Sequence, residues 1–258
     1  MTALFDVSGK CVVVTGGAQG LGGMIAEGFV KAGAKVIITS RTAATCEKTA
    51  KVFGEFGDCI PMQADLSTVE GTIDLASRIV ARESRIDVLV NNAGKTWGAP
   101  IESFPDSAWQ DIMGINVQTP FTLVREFLPL LKASATAEDP ARIINIGSLT
   151  ALVAERLQAY SYAASKAAIH HLTKVLAADL AEYSITANVV APGYFPTRMM
   201  AHIRNDEDRS QELGRRIPLT RLGTPEDIAG ACIFLASRAG AYVTGVELPI
   251  DGGLSGCS

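Results

Sequence analysis

Tyr162 and Lys166 stand four positions apart in "YSYAASKAAI" (160–169), separated only by Ala163, Ala164 and Ser165. Alanine-rich sequence favours a helix, and on a helix positions i and i+4 lie one above the other on the same face. A free phenol ionises near pH 10, too high for easy proton transfer in neutral water. An ammonium group held beside it favours the phenolate and lowers that value. The pair therefore suits giving a proton to, or taking one from, a substrate oxygen. The small intervening residues leave room for reactants, and Tyr160, six positions from Lys166, lies off that face.

Proton transfer of this kind accompanies hydride transfer when a nicotinamide is present, and a second motif points to one. "VTGGAQGLGG" (14–23) follows an apolar run and opens a helical pattern. Gly16, Gly20 and Gly22 permit a tight turn there, so that backbone N–H groups can meet a phosphate at the positive end of the helix. Dinucleotide folds that take NAD carry an acidic residue about 20 positions later for the ribose hydroxyl. This chain has Thr39, Ser40 and Arg41 instead. Arg41 suits a 2′-phosphate and Ser40 leaves it space, so NADP(H) is preferred, with NAD(H) still possible.

The elements that must position these groups form a regular alternation. Strand-like runs lie at 10–16, 35–40, 59–65, 86–94, 141–148, 185–192 and 243–253. Helical patterns lie between 16 and 35 and near 42–54, 68–83, 105–132, 158–182 and 225–237. Most of the strands are near-continuous apolar runs, as expected where both faces of a parallel sheet are covered. The alternation predicts a single-domain α/β fold of the Rossmann type, a doubly wound parallel sheet. Two stretches break the rhythm: a polar loop at 132–142 and the long connection from 192 to 223. The latter carries Tyr194, Phe195, Met199, Met200 and Ile203 and reads as a lid over about 192–217.

Composition narrows the field further. Hydrophobic residues make up 48% and charged residues 19% of 258, which supplies a core and argues against disorder. A net charge of −4 and the absence of a dense Lys/Arg run argue against a nucleic-acid surface. Cys11, Cys46, Cys59, Cys232 and Cys257 are odd in number and scattered, which fits a reducing compartment. No signal-like start or membrane-length apolar run is present, so a cytoplasmic protein is expected, with no membrane partner. No metal site is expected, since His170, His171 and His202 lack ligand spacing and His170 and His171 read as residues on helix faces without a special role.

Taken in order, these motifs resemble those of the short-chain dehydrogenase/reductase family, over about residues 5–253. They are "TGGAQGLG" (15–22), "NNAG" (91–94), Asn116 in "GIN", Ser148 in "NIGS", "YAASK" (162–166) and "PGYFPT" (192–197). The resemblance implies a cofactor half over about 5–95 and a catalytic and substrate half over about 96–258. It implies that Tyr162 is the general acid or base, that Lys166 binds the nicotinamide ribose, and that Ser148 binds the substrate oxygen. Asn116 would hold a water in a proton relay behind Lys166. For the cofactor it implies Gly16, Gln19, Gly20, Leu21 and Gly22 at the pyrophosphate, Asp65 and Leu66 at the adenine, and Asn92, Ala93 and Gly94 at the adenosine side. Pro192, Gly193, Phe195 and Thr197 would meet the nicotinamide end. Relatives that prefer NADP often carry a basic residue where this chain has Gln19, which leaves the 2′-phosphate chiefly to Arg41.

Through "LLKASATAEDPARIINIGS" (130–148) and "APGYFPTRM" (191–199), the chain is similar within the family to 3-oxoacyl-ACP reductases, particularly those of rhamnolipid biosynthesis. That implies reduction of a 3-oxoacyl thioester on ACP or CoA, with Trp97, Thr150, Tyr194 and Met199 near the substrate. Arg198, Arg204, Arg215 and Arg216 would receive an acidic carrier protein or a CoA phosphate. A sugar-acid or small secondary-alcohol dehydrogenase, similar to gluconate 5-dehydrogenase, is the alternative. A nucleotide-binding regulator without chemistry is a more remote one, because all four catalytic residues are retained. The last strand resembles one that packs at a subunit interface, which implies a homotetramer.

Overall fold

The computed structural model describes residues 4–197 and 214–257. Its strands are β1 (Cys11–Val14), β2 (Lys35–Ser40), β3 (Cys59–Gln63), β4 (Val88–Asn91), β5 (Ala141–Ile146), β6 (Ile185–Pro192) and β7 (Glu247–Ile250). They form one parallel sheet in the order β3-β2-β1-β4-β5-β6-β7. Helices α1 (Gly20–Lys31), α2 (Ala43–Phe53), α3 (Val69–Arg82), α4 (Ser107–Met113), α5 (Thr119–Ser134), α6 (Tyr160–Leu180) and α7 (Pro225–Ala236) cover its faces. This is the doubly wound, single-domain architecture that the alternation predicts.

The apolar runs follow from burial on both sides. Successive side chains of a strand point to opposite faces. Val12, Val14, Ile144 and Ile146 meet Ile25 and Phe29 of α1 and Ile228 and Leu235 of α7. Val13, Leu89 and Ile143 meet Leu75 and Ile79 of α3, Phe127 of α5 and Leu176 of α6. Every position in β5 and β6 is buried, whereas β3, at the sheet edge, is half-exposed. Arg142 is an exception in kind: it is 1% exposed inside β5. Its guanidinium donates to the carbonyls of Leu235 (3.0 Å) and Ser237 (2.9 Å) and pairs with Asp139 at 3.0 Å, tying the start of β5 to the end of α7.

Local signals set several boundaries. Thr68 caps α3 by accepting the Gly71 N–H at 3.0 Å, and Thr224 and Asp227 cap α7 reciprocally, with Pro225 in the first turn. The expected helix over 105–132 is divided into α4 and α5 by a wider π-helical turn, Gly114–Gln118. Pro120 explains the break, for it has no N–H to give the carbonyl of Asn116 four residues back. The turn leaves Asn116 buried on the side facing α6. Residues 198–213 of the expected lid, with Arg198, Met199, Met200, His202, Ile203 and Arg204, lie outside the described residues.

Candidate active site

Strand order reverses between β1 and β4, and open α/β sheets bind ligands at the carboxyl ends of the strands beside such a reversal. The β1–α1 turn at this point is made of closely packed backbone. Gly16 has φ +64°, and its N–H donates to Thr39 Oγ1 at 3.1 Å. Thr15 Oγ1 accepts the amides of Asn92 (2.9 Å) and Ala93 (3.0 Å), while Asn92 Nδ2 donates to the Thr15 carbonyl at 2.9 Å. A Cβ at Gly22 would lie 2.3 Å from Asn92 Nδ2 and 2.4 Å from the Gly16 oxygen. Only glycine fits there. No side chain caps the start of α1, so its first amides are left for a ligand.

Beside this turn lies a recess of about 270 Å³ at the ends of β2 and β3. Gly16, Gln19, Ser40, Arg41, Leu66, Ala93 and Gly94 are among its walls, with Thr42, Thr45 and Lys95. Arg41 is exposed at its edge. Asp65 does not line it, as its carboxylate accepts from Ser67 N (3.0 Å) and Oγ (2.7 Å) and so holds the turn that presents Ala64 and Leu66. Those two hydrogen bonds also hold the Asp65 carboxyl below its usual range.

A second cleft, about 390 Å³, adjoins the recess through Gly16, Gln19, Ala93, Gly94 and Lys95. Gly20, Leu21, Asn92, Pro192, Gly193, Phe195 and Thr197 line it together with Ser148, Thr150, Tyr162, Lys166 and Tyr194. Residues from β5, β6, α1 and α6 and from the turns that follow β1 and β4 thus meet in one opening. A glycine-lined turn, an uncapped helix start and two joined cavities with an arginine at the far end fit a dinucleotide with a 2′-phosphate.

Around Tyr162 the geometry is specific. Ser148 follows β5, and its hydroxyl lies near enough to the phenol to lower its pKa. The same oxygen accepts from Thr150 N (3.2 Å) and Thr150 Oγ1 (2.9 Å). Lys166 Nζ donates to the carbonyl of Ile146 at 2.7 Å and stands 5.7 Å from the centre of the Tyr162 ring. Burial pushes the Lys166 ammonium down to about 8. Burial likewise raises Tyr162, opposed by the nearby Ser148 hydroxyl. This differs from the depressed phenol expected from the spacing. The spacing shows that two groups share a face, but not how far both are removed from water, and here desolvation is the largest influence on the phenol.

Asn116 makes a bridge rather than a wall. Its Nδ2 donates to Ser165 Oγ (2.9 Å) and to the Lys95 carbonyl (3.0 Å), and its Oδ1 accepts the Lys95 N–H at 2.9 Å. Ser165 in turn donates to the Tyr162 carbonyl at 2.7 Å. Trp97 is 52% exposed and does not line the cleft. Met199 lies outside the described residues. Among those described, no three His, Cys, Asp or Glu side chains gather as a metal site requires, and no helix is long and apolar enough to cross a membrane.

The cleft also holds residues that motif reading passed over. Lys95 borders both cavities, and Leu149, Leu157 and Glu155 line the substrate side. Tyr194 donates its hydroxyl to Glu155 at 2.5 Å across the opening, and burial together with that carboxylate raises the Tyr194 phenol. His170, read from sequence as a helix-face residue without a role, is buried beneath Ser148. A signal for it existed: 162, 166 and 170 follow one another at four-residue steps on one helix face.

Comparison with known proteins supplies an independent view. A family model described as enoyl-(acyl carrier protein) reductase matches residues 16–255. The rhamnolipid-biosynthesis 3-oxoacyl-(acyl-carrier-protein) reductase of Pseudomonas aeruginosa is 47% identical over 253 residues, covering 98% of this chain and 99% of that one. The 5-keto-D-gluconate 5-reductase of Escherichia coli K12 is 35% identical, with 98% of each chain covered. Among solved structures, the Pseudomonas aeruginosa RhlG/NADP active-site complex superposes with a TM-score of 0.96 at 46% identity, covering 99% of this chain and 100% of that one. A gluconate 5-dehydrogenase from Burkholderia cenocepacia, in complex with NADP and tartrate, gives 0.88 at 33% identity over 98% of each chain.

Proposed function

We propose that this chain, which belongs to the short-chain dehydrogenase/reductase family, is an NADPH-dependent reductase of 3-oxoacyl thioesters carried on ACP or CoA. The observation that carries the substrate class is the wall of the cleft beside Ser148. It is built from Leu149, Leu157, Tyr194 and Phe195, and the acidic side chain there is Glu155. An uncharged acyl chain suits that wall. A sugar acid would bring its own carboxylate towards Glu155, and like charges at close range repel. The 47% identical relative, named as a 3-oxoacyl-ACP reductase, and the NADP complex of the 46% identical structure support the same reading.

In this mechanism the bound nicotinamide supplies the hydride. Ser148 donates to the substrate oxygen and orients the carbonyl. Tyr162 gives that oxygen its proton, and burial of the phenol keeps it protonated and ready to do so. Lys166, buried and anchored on the Ile146 carbonyl, holds the ribose end. Asn116, hydrogen-bonded to Ser165 directly beside Lys166, keeps the relay water in register with α6. In the oxidative direction the same residues act in reverse, with Tyr162 as base.

Gly16, Gln19, Gly20, Leu21 and Gly22 hold the pyrophosphate and Arg41 with Ser40 the 2′-phosphate. Leu66, Asn92, Ala93 and Gly94 border the adenosine, and Pro192, Gly193, Phe195 and Thr197 the nicotinamide. Residues of about 5–95 form the cofactor half and about 96–258 the catalytic half, with 192–217 as lid. Arg215 and Arg216, both exposed, suit an acidic carrier or a CoA phosphate. The protein is a cytoplasmic homotetramer in this reading, supported by five unpaired cysteines and by the half-exposed β7 edge near Val246.

The test is NADPH oxidation with a 3-oxoacyl thioester beside 5-keto-gluconate and simple ketones. Turnover of the thioester at least about tenfold above the keto acid is expected, since one unfavourable carboxylate contact is worth about that factor. Turnover of the keto acid alone would discard the acyl-chain reading and retain the tyrosine mechanism.

A further inference from the structure

His170 lies one helical turn beyond Lys166 on α6 and is only 4% exposed. Its ring is pressed against the backbone between β5 and Ser148: a Cβ on Gly147 would come within 2.1 Å of His170 Nε2. That nitrogen accepts the backbone N–H of Ser148 at 3.4 Å. On the opposite side, Nδ1 is 3.0 Å from Glu247 Oε2 on β7. The two contacts together specify one tautomer. Nε2 faces a donor and must be bare, so Nδ1 carries the proton and gives it to the Glu247 carboxylate. Glu247 is itself held by Lys174, whose Nζ lies 2.6 Å from Oε1.

We propose that His170, oriented by Glu247, is a positioning residue that fixes the Ser148 backbone and through it the hydroxyl facing Tyr162. Ser148 stands at the end of β5, where regular strand pairing stops, and its own hydroxyl is engaged with Thr150 beside Tyr162. The imidazole supplies the acceptor that its N–H would otherwise lack. The arrangement has the order carboxylate, imidazole, serine, but the imidazole meets the serine amide rather than its hydroxyl. It therefore orients Ser148 without activating it as a nucleophile.

The arrangement is also sensitive to acid. Once Nε2 is protonated, two donors face each other and Ser148 must shift. The charged groups bearing on His170 are Glu247 from β7 and Lys166 and Lys174 from α6. Burial, the largest influence, lowers its pKa from 6.5, and Glu247 opposes this. The device is thus intact at neutral pH and fails only in more acidic solution.

This inference rests on the Ser148–Tyr162 reading, and the experiment separates the two. Steady-state reduction would be followed from about pH 5 to 8 for the wild type, His170→Leu and His170→Gln, beside NADPH binding by fluorescence and thermal unfolding. His170→Leu removes the acceptor; the amide oxygen of His170→Gln restores it without a titrating group. We expect His170→Leu to lower kcat about tenfold, the worth of one well-placed hydrogen bond, with NADPH affinity unchanged. His170→Gln should regain activity to within about threefold and lose the acidic limb of the wild-type profile. Full activity in a folded His170→Leu overturns the assignment. If that variant does not fold, the glutamine variant decides: an acidic limb unchanged from wild type overturns it equally. Failure of the underlying reading would look different, as a wild type that turns over no carbonyl substrate at all.

Discussion

The two ends of the cleft are built from different materials. At the β1–α1 turn the contacts are backbone to backbone or involve short side chains, and what matters most at Gly22 is the absence of a side chain. At the β5–α6 end, side chains far apart in the chain meet: Ser148 with Tyr162, Asn116 with Ser165, His170 with Glu247. In the proposed function the first end recognises phosphate, which every such cofactor carries, and a close-packed turn suffices. In the same proposal the second moves a proton at one defined atom, and that demands side chains held by further side chains.

Substitutions that remove a single group at either end sharpen this contrast. Tyr162→Phe takes away the proton donor and almost no contact area. Turnover should fall about a thousandfold while NADPH affinity stays within about twofold, measured by stopped-flow reduction and fluorescence titration. A variant retaining a tenth of its activity would break the assignment of the proton to Tyr162.

Gly22→Ala adds one methyl where Asn92 Nδ2 and the Gly16 carbonyl stand in the way. The turn has to open, at a cost of about 1–3 kcal/mol in unfolding free energy, and NADPH affinity should drop with it. Chemical denaturation and cofactor titration read both effects. Arg41→Ala touches only the outer edge of the recess. It should weaken NADPH about tenfold and leave NADH unchanged, so an unaltered cofactor ratio removes the 2′-phosphate from Arg41.

A further effect, about 1 kcal/mol per pH unit, is a pH dependence of the apoprotein. Lys166 releases its proton at about 8 when folded, against 10.5 for a lysine in an open chain. Between those values the unfolded state binds more protons, so stability increases with pH across that window. The gain is about 1 kcal/mol per pH unit, and it should vanish in Lys166→Met. Parallel stability profiles for the two proteins would show that Lys166 keeps its proton when buried.

Much of this was readable from the chain. Periodicity located the strands because both faces of β5 and β6 are covered, so no polar residue interrupts the pattern except Arg142, Asn145, Thr186 and Asn188. Spacing placed Tyr162, Lys166 and the glycines, since those motifs lie within single elements or turns. Asp65 was harder: an acidic residue at a strand end can face a ligand or lock its own turn, and it locks the turn onto Ser67. Trp97 lies beside "NNAG" in sequence yet is half-exposed and does not line the cleft.

Sequence alone determined the parallel α/β sheet, the glycine turn and the tyrosine–lysine pair. Each is a local pattern, written in residues within a few positions of one another, where hydrogen-bond geometry and side-chain period act directly. Only the tertiary structure decided what surrounds them. It set the protonation preferences of Tyr162 and Lys166, because desolvation depends on every neighbour at once. It also brought Glu155 to Tyr194 and Glu247 to His170, pairs 39 and 77 residues apart that meet only after the strands have aligned.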